Sequence, residues 1–182
     1  MGRTTLLVLL ALPALWACAS SPSRRAPAPG PAPPRAAAPD AVEQGVALYQ
    51  QGRYSEAEKT LAPVPGVRAR AYLAASRVRL QRYAGAEAPA REALQGSPGD
   101  PVASAALGEA LVSQGKLDET IQRLTAVIQA DPRLPYAYYW RGQAFQRRRQ
   151  IARMVDDYQA FLRLAPDSPE APAVKTLLGG LQ

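Results

Sequence analysis

Apolar and small residues recur every 34 positions over most of the chain. The spacing appears in four independent sets of positions: Pro98, Pro132 and Pro166; Ala74, Gly108 and Gly142; Tyr83, Leu117 and Ile151; and Ala93, Val127 and Phe161. A fixed period of about 20 to 50 residues is typical of proteins built from stacked structural repeats. Each repeat in such an array buries its apolar face against the next one. The pattern therefore predicts a repeat array.

The third repeat shows the order of residue types most clearly. Its first helix carries Leu107 followed by Gly108, its turn carries Gly115, and it closes on Pro132. This order resembles the tetratricopeptide repeat. The resemblance implies an all-α solenoid of antiparallel helix pairs with a C-terminal capping helix. We expect the array to occupy 41–182, with units at about 41–66, 67–100, 101–134 and 135–168 and the capping helix at 169–182.

The first unit is predicted to be shorter than the others. Tyr54 and Tyr83 occupy equivalent turn positions but lie closer together than the full period, so about one helical turn is missing from the first unit. Small residues recur at one position of the first helix, where we expect them to permit close approach of the paired helix. These residues are Gly45, Ala74, Gly108 and Gly142.

Two units carry side chains that need a separate interpretation. In the second unit, Arg70 and Arg77 stand where bulky core residues are usual, and Gln81 replaces the turn glycine. Long arginine stems can lie along apolar surface with their charged ends in water, so the unit is still expected to fold. In the fourth unit, Tyr138 occupies the place of the family's structural Trp and is expected in the core.

The resemblance implies that the first helices line an inner groove, chiefly through the second, fifth, ninth, twelfth and thirteenth residues of each unit. The candidate partner-binding residues at these places are Arg68, Arg79, Glu109, Tyr136, Tyr139, Gln143 and Arg147. Tyr and Arg are among the residues that most often dominate binding energy. For Tyr136 and Tyr139 two interpretations stay open, ligand contact or burial in the core. Because Val42 and Val46 replace the family's clamp residues, chaperone-tail binding is not expected.

The amino end predicts export and lipid anchoring. Residues 1–17 combine Arg3 with a short apolar run, as a signal peptide does. The segment from Leu15 to Cys18 resembles the box that precedes the lipidated cysteine of bacterial lipoproteins, which implies lipidation of Cys18. Ala19 stands where an Asp would retain a lipoprotein in the inner membrane, so the outer membrane is favoured. Ordinary secretion with an incidental Cys18, or a retained anchor, are the alternatives.

A linker is predicted between the cysteine and the repeats. Residues 18–40 are rich in Pro and Ala and lack apolar periodicity. Proline-rich chain favours an extended form that rises about 3.1 Å per residue, so a segment of this length could hold the repeats up to about 60 Å from a membrane. Arg24, Arg25 and Arg35 in this segment are expected to aid solubility, with contact to acidic lipid or polymer as the alternative.

The charge of the 182-residue chain does not indicate a nucleic-acid partner. The formal net charge is +7, but residues 1–40 hold four arginines and one acid, which leaves +4 on the repeats. Residues 147–149 form a run of three arginines where a first helix should end, and the helix dipole stabilises cations there. We expect a solvated helix end, with an anionic partner as the alternative. Nucleic acid is not expected as a partner of an exported protein.

The residue types exclude many enzyme mechanisms. The chain has no His and one Cys, so it cannot form a Ser-His-Asp triad, a Cys-His pair or a disulfide within the chain. Asp156 and Asp157 are adjacent, and neighbouring helical residues point about 100° apart, so their carboxylates do not converge. The protein is expected not to be an enzyme and to need no metal or cofactor.

These observations together predict a binding protein of the bacterial cell envelope. We expect an outer-membrane-anchored periplasmic lipoprotein that acts as a protein–protein interaction adaptor or assembly factor. The alternative is a protein that binds an envelope polymer or small ligand through an Arg- and Tyr-lined groove. The sequence does not specify the partner or the oligomeric state.

Overall fold

The described chain consists of antiparallel α-helices joined by short turns. The structure, a computed structural model, describes residues 39–181 and the side chains of 41–181. The predicted signal peptide, Cys18 and most of the linker lie outside these residues. The described helices are α1 (Pro39–Gln50), α2 (Tyr54–Leu61), α3 (Val67–Arg79), α4 (Tyr83–Gly96), α5 (Pro101–Ser113), α6 (Leu117–Ala130), α7 (Pro135–Arg147), α8 (Ile151–Leu164) and α9 (Ala171–Gly179). The described residues contain no strand, and the all-α class is confirmed.

Local sequence explains where the helices begin. α5 and α7 begin at Pro101 and Pro135, where the missing amide hydrogen of proline costs nothing and its fixed φ suits the first turn. Asp100 caps α5, because its Oδ1 accepts a hydrogen bond of 2.7 Å from the backbone N–H of Ala103. Because α3 begins at Val67, the first helices α3, α5 and α7 begin at equal intervals along the chain.

The turn inside each helix pair needs a left-handed residue. Gly52 and Gly115 supply it in two turns, with φ of 77° and 73°. Gln81 and Arg149 occupy the equivalent places in the others, with φ of 58° and 56°. A side chain in this region costs about 1 kcal/mol or more, which stacking of the flanking helices must offset. The turn position predicted for Gln81 is therefore present, without its usual glycine.

Stacking of neighbouring pairs curves the array. The backbone of α1 approaches that of α3, α3 approaches α5, and α5 approaches α7. Among the described helices, no second helix brings its Cα atoms within 8 Å of the second helix of the next pair. The first helices are therefore closer together and lie on the inner side of the curve. α2 has 8 residues against 14 in each of α4, α6 and α8, so the first pair is the shortest.

Small residues allow helices to approach, but not always the helices that we expected. A Cβ added at Gly45 would collide with Leu61 of the paired α2. One added at Gly142 would lie 2.9 Å from ring atoms of Tyr158 in the paired α8. The expectation for Gly108 was wrong. Its neighbour is Trp140 of α7, which belongs to the next pair.

Arg77 occupies a core position of the second pair because α4 contains a proline. Pro89 lies inside α4 and has no amide hydrogen to donate to the Gly85 carbonyl one turn earlier. The Nη1 of Arg77 donates to that carbonyl at 2.7 Å, and its Nε donates to Glu58 of α2 at 2.9 Å. Arg77 thus supplies the hydrogen bond that Pro89 removes and joins α4 to the short α2.

Candidate functional site

Two adjoining cavities open on the inner face formed by the first helices. One has a volume of about 280 Å³ and the other about 290 Å³. Four residues line both of them: Arg79, Ala105, Glu109 and Tyr136. Because they share these walls, the two cavities form one continuous groove across α3, α5 and α7.

The larger part of the first cavity is apolar, and we call it the apolar subsite. It is lined by Tyr49, Tyr72, Ala75, Val78, Val102 and Ala105. The rings of Tyr49 and Tyr72 meet edge to face with their centroids 5.4 Å apart. Small side chains from α3 and α5 leave a hollow in front of these rings. The subsite can accept a large apolar side chain.

The second cavity is polar, and we call it the acidic subsite. It is lined by Arg79, Glu109, Tyr136, Tyr139, Trp140 and Glu170. The Tyr136 hydroxyl donates to the Glu170 carboxylate at 2.8 Å. Burial, together with this hydrogen bond, raises the pKa of Tyr136 to about 12, so the phenol stays protonated at neutral pH.

Glu109 and Arg79 face each other across the groove but do not bond closely. Arg79 Nη2 lies 3.8 Å from Glu109 Oε2, which is longer than a hydrogen bond. The Glu109 side chain is 21% exposed, and burial raises the pKa of its carboxyl above the usual value, with Arg79 opposing the rise. The Tyr49 hydroxyl and the Glu109 carboxylate stabilise the charge on Arg79 and raise its pKa.

The other candidate groove residues have partners of their own. Arg68 lies outside both cavities and pairs with Glu43 at 2.6 Å. Arg147 donates to the backbone carbonyl of Val112 at 2.7 Å, and Gln143 donates to the Tyr139 hydroxyl at 2.8 Å. The structure therefore brings four of the seven candidates together around the groove, and their partner-binding role stays a prediction.

Tyr136 and Tyr139 combine the two interpretations left open by the sequence. Their rings line the groove, and both also pack on Phe161 of α8, with centroids 5.9 and 5.0 Å away. Tyr138, expected in the core, is only half-buried, and its hydroxyl donates to the Pro132 carbonyl at 3.2 Å. Truncating Tyr136 or Tyr139 would therefore remove core contacts as well as groove surface.

Four polar or aromatic residues that line the groove were not among the sequence candidates. They are Tyr49, Tyr72, Trp140 and Glu170. Two of them show a signal in the repeat register. Tyr49 lies as far before Val78 as Tyr54 lies before Tyr83, which is the shortened period of the first unit. Glu170 lies one full period after Tyr136. Extending the register in both directions would have placed both residues in the groove.

A further cleft of about 290 Å³ lies on the outer side, between α4 and α6. Its floor includes Leu94, Leu107 and Val127, and Arg91 lies at its edge. Arg91 pairs with Glu87 at 2.8 Å and with Glu119 at 2.6 Å. Gln95 and Arg123 also line the cleft, and the buried Nε of Arg91 has no hydrogen-bond partner among the described residues.

The adjacent aspartates differ in burial, since Asp157 is buried and Asp156 is not. Asp157 accepts two hydrogen bonds from Arg141, at 2.9 and 2.7 Å. Asp156 lines a shallow cavity together with Asp157 and Arg141. Within residues 41–181, no cluster of three or more His, Cys, Asp and Glu residues could hold a metal ion. None of the described helices is both long and apolar enough to cross a membrane.

Several solved structures share this fold at low sequence identity. YrrB, described as a TPR protein with an unusual peptide-binding site, is 20% identical with a TM-score of 0.62, over 75% of this chain and 73% of its own. TTC0263, a thermophilic TPR protein of Thermus thermophilus, is 20% identical with a TM-score of 0.64, over 74% and 77%. MamA from Desulfovibrio magneticus RS-1 is 18% identical with a TM-score of 0.60, over 71% and 76%. At these identities the likeness shows the fold.

Sequence comparison with repeat models agrees with the fold. No curated protein matches the chain. A TPR repeat model matches residues 91–148, and two tetratricopeptide repeat models match residues 42–101 and 136–168. The three matches run without a gap from residue 42 to residue 168. The chain therefore belongs to the tetratricopeptide repeat family.

Proposed function

We propose that this protein is an adaptor of the bacterial cell envelope that binds a segment of a partner protein in its inner groove. The tetratricopeptide fold is one that binds proteins and peptides. The observation that carries the proposal is the pair of adjoining cavities on the first-helix face, with shared walls and aromatic linings. YrrB, which has a similar fold, is described as having a peptide-binding site, which supports a peptide ligand here.

The groove favours a protein segment over an anionic polymer. A polymer such as an acidic glycan would need several arginines open to the groove, but among residues 41–181 Arg79 is the one arginine that lines the two cavities, and it shares them with Glu109 and Glu170. The apolar subsite suits the apolar side chains of a peptide better than a chain of hydroxyl and carboxylate groups. The anionic-polymer alternative therefore has the weaker support.

The proposed location is the periplasmic face of the outer membrane, through lipid on Cys18. This part of the proposal rests on residues 1–19 alone, which lie outside the described residues. A thioether-linked diacylglycerol with a further acyl chain gives stable anchoring, since two chains suffice to hold a protein at a membrane. The linker would then let the groove reach partners away from the lipid surface.

Blocking the groove is expected to abolish partner capture. A photo-crosslinking amino acid at position 102, which lines the apolar subsite, should give a discrete adduct in the native envelope. The same probe at the exposed position 88 of α4 should not. Ala105→Trp fills the wall common to both cavities and should reduce the adduct at least tenfold, while Ala88→Trp should not. Equal adducts in both tryptophan variants would place the binding surface elsewhere.

Lipidation is tested at the cysteine and at its neighbour. Cys18→Ala is expected to abolish palmitate labelling and to leave the protein soluble or unprocessed. Ala19→Asp is the matched variant. Where the enteric sorting rule operates, it should keep the label and move the protein to the inner-membrane fraction. Wild-type protein that carries no label would contradict the lipoprotein assignment.

A further inference from the structure

The charges around the acidic subsite favour a cationic ligand. Two carboxylates, Glu109 and Glu170, line the cavity together with one arginine, Arg79. Glu170 also acts on Glu109 through space, since its charge raises the pKa of the Glu109 carboxyl. The sequence predicts three arginines in the groove, at positions 68, 79 and 147. In the structure, the part of the groove that is open to a ligand carries two carboxylates and one guanidinium group.

Glu109 in particular lacks a hydrogen-bond donor. Its carboxylate accepts no hydrogen bond from any residue between 41 and 181, and the nearest cation stays 3.8 Å away. The side chain is mostly buried, but its carboxylate oxygens stay open to solvent in the cavity, where a ligand can reach them. A ligand that brings an N–H donor with a positive charge would satisfy this carboxylate, since hydrogen bonds between charged groups are the stronger ones.

Aromatic rings border the same cavity. Tyr136, Tyr139 and Trp140 line it, and the rings of Tyr139 and Trp140 meet edge to face with centroids 4.9 Å apart. Aromatic faces attract ammonium and guanidinium groups within about 6 Å. A basic side chain that enters the subsite would therefore meet a carboxylate and aromatic surface together.

The apolar subsite lies directly beside the acidic one. In an extended peptide, alternate side chains point to the same side and are separated by twice the rise of about 3.3 Å per residue. Two such side chains can reach two cavities that share a wall. We propose that the groove binds an extended peptide segment that places a large apolar side chain in the apolar subsite and a Lys or Arg side chain against Glu109. This inference rests on the proposed function and names the chemistry of its partner.

The proposal predicts a dependence on pH. The groups that face Glu109 from the neighbouring elements are Tyr49 of α1, Arg79 of α3, Tyr136 and Tyr139 of α7, and Glu170 before α9. Burial raises the pKa of the Glu109 carboxyl above its ordinary value of 4.5. Protonation of Glu109 on acidification removes the charge that the basic side chain needs. Affinity for a basic peptide should therefore fall as the pH drops through this raised pKa, while affinity for a neutral peptide should not.

The test uses three short fluorescent peptides and the full chain in detergent. Each peptide carries a leucine followed two positions later by arginine, glutamine or glutamate. We expect the arginine peptide to bind at least tenfold more tightly than the glutamate peptide by fluorescence anisotropy. Glu109→Gln should remove most of this preference without lowering affinity for the glutamine peptide. Glu92→Gln, at an exposed glutamate of α4 paired with Arg70, should keep the preference.

The outcomes separate this inference from the proposed function. If all three peptides bound equally well, the preference for a basic side chain would be overturned. If Ala105→Trp then abolished binding of all three, the result would still support a peptide-binding groove. Tightest binding of the glutamate peptide would also overturn the preference for a basic side chain. Binding of the arginine peptide that survives Ala105→Trp would contradict both proposals. Failure of every peptide to bind would overturn the inference and leave the crosslinking experiment to decide the function.

Discussion

Replacing Gly108 with leucine is expected to lower the free energy of unfolding by about 3 kcal/mol, the upper part of the usual range for overpacking. A Cβ at this position would lie 2.6 Å from the Cβ of Trp140 and 2.8 Å from its Cγ. The Cβ of Trp140 is fixed to the backbone of α7, so the clash can be relieved only if the whole helix moves. Urea unfolding followed by circular dichroism measures the loss.

A second glycine supplies the control. Gly85 lies inside α4, and a Cβ there would meet the Arg77 side chain at an ordinary distance of 3.5 Å. Gly85→Ala should therefore raise stability by about 0.5 to 1 kcal/mol, since alanine is the better helix former. If Gly108→Leu left the urea midpoint unchanged while Gly85→Ala shifted it upward, α5 and α7 could not pack as described.

Replacing Arg141 with leucine is expected to cost about 3 to 5 kcal/mol, because it leaves the buried Asp157 carboxylate without its partner. The side chains of Arg141 and Asp157 are 16% and 5% exposed, and two hydrogen bonds join them. Arg141 Nη1 also donates to Thr125 of α6 at 2.9 Å, so the substitution weakens contact between neighbouring pairs as well. Urea unfolding at pH 7 gives the size of the effect.

The pH dependence identifies the cause. Burial raises the pKa of Asp157, and Arg141 opposes that rise through its hydrogen bonds and its charge. Without Arg141 the pKa should rise further, so the variant's deficit should shrink as the pH falls and Asp157 becomes neutral. The double variant Arg141→Leu/Asp157→Leu should recover much of the stability at pH 7. A deficit that stayed constant with pH and persisted in the double variant would point to lost packing.

The sequence predicted the helices well because their positions follow from a local pattern. The turn positions at Gln81 and Gly115 follow from the order of residues within one unit, and the repeat period gives the same positions in the next unit. The prediction that Gly108 makes room for its paired helix was wrong, because the spacing does not indicate which helix occupies the space beside a glycine. That depends on how two units stack, and here Trp140 of the next unit fills it.

The groove was predicted less completely, and for a physical reason. Arg68 and Glu43 belong to different helix pairs, as do Arg79 and Glu109, so these ion pairs exist only after neighbouring units have stacked. The sequence shows the arginines but not their partners. It therefore indicated a basic groove, whereas Glu109 and Glu170 give the open part of the groove an acidic character.

The bond between Arg77 and the carbonyl that Pro89 leaves free links two positions in different helices of one pair. A relative with an ordinary residue at position 89 regains the helical hydrogen bond to Gly85 and no longer needs a guanidinium at position 77. A relative that keeps the proline but loses the arginine leaves a carbonyl without a donor. Positions 77 and 89 should therefore have been inherited as a pair and should covary among homologues. Glu58, which accepts a hydrogen bond from Arg77, should be kept where Arg77 is kept.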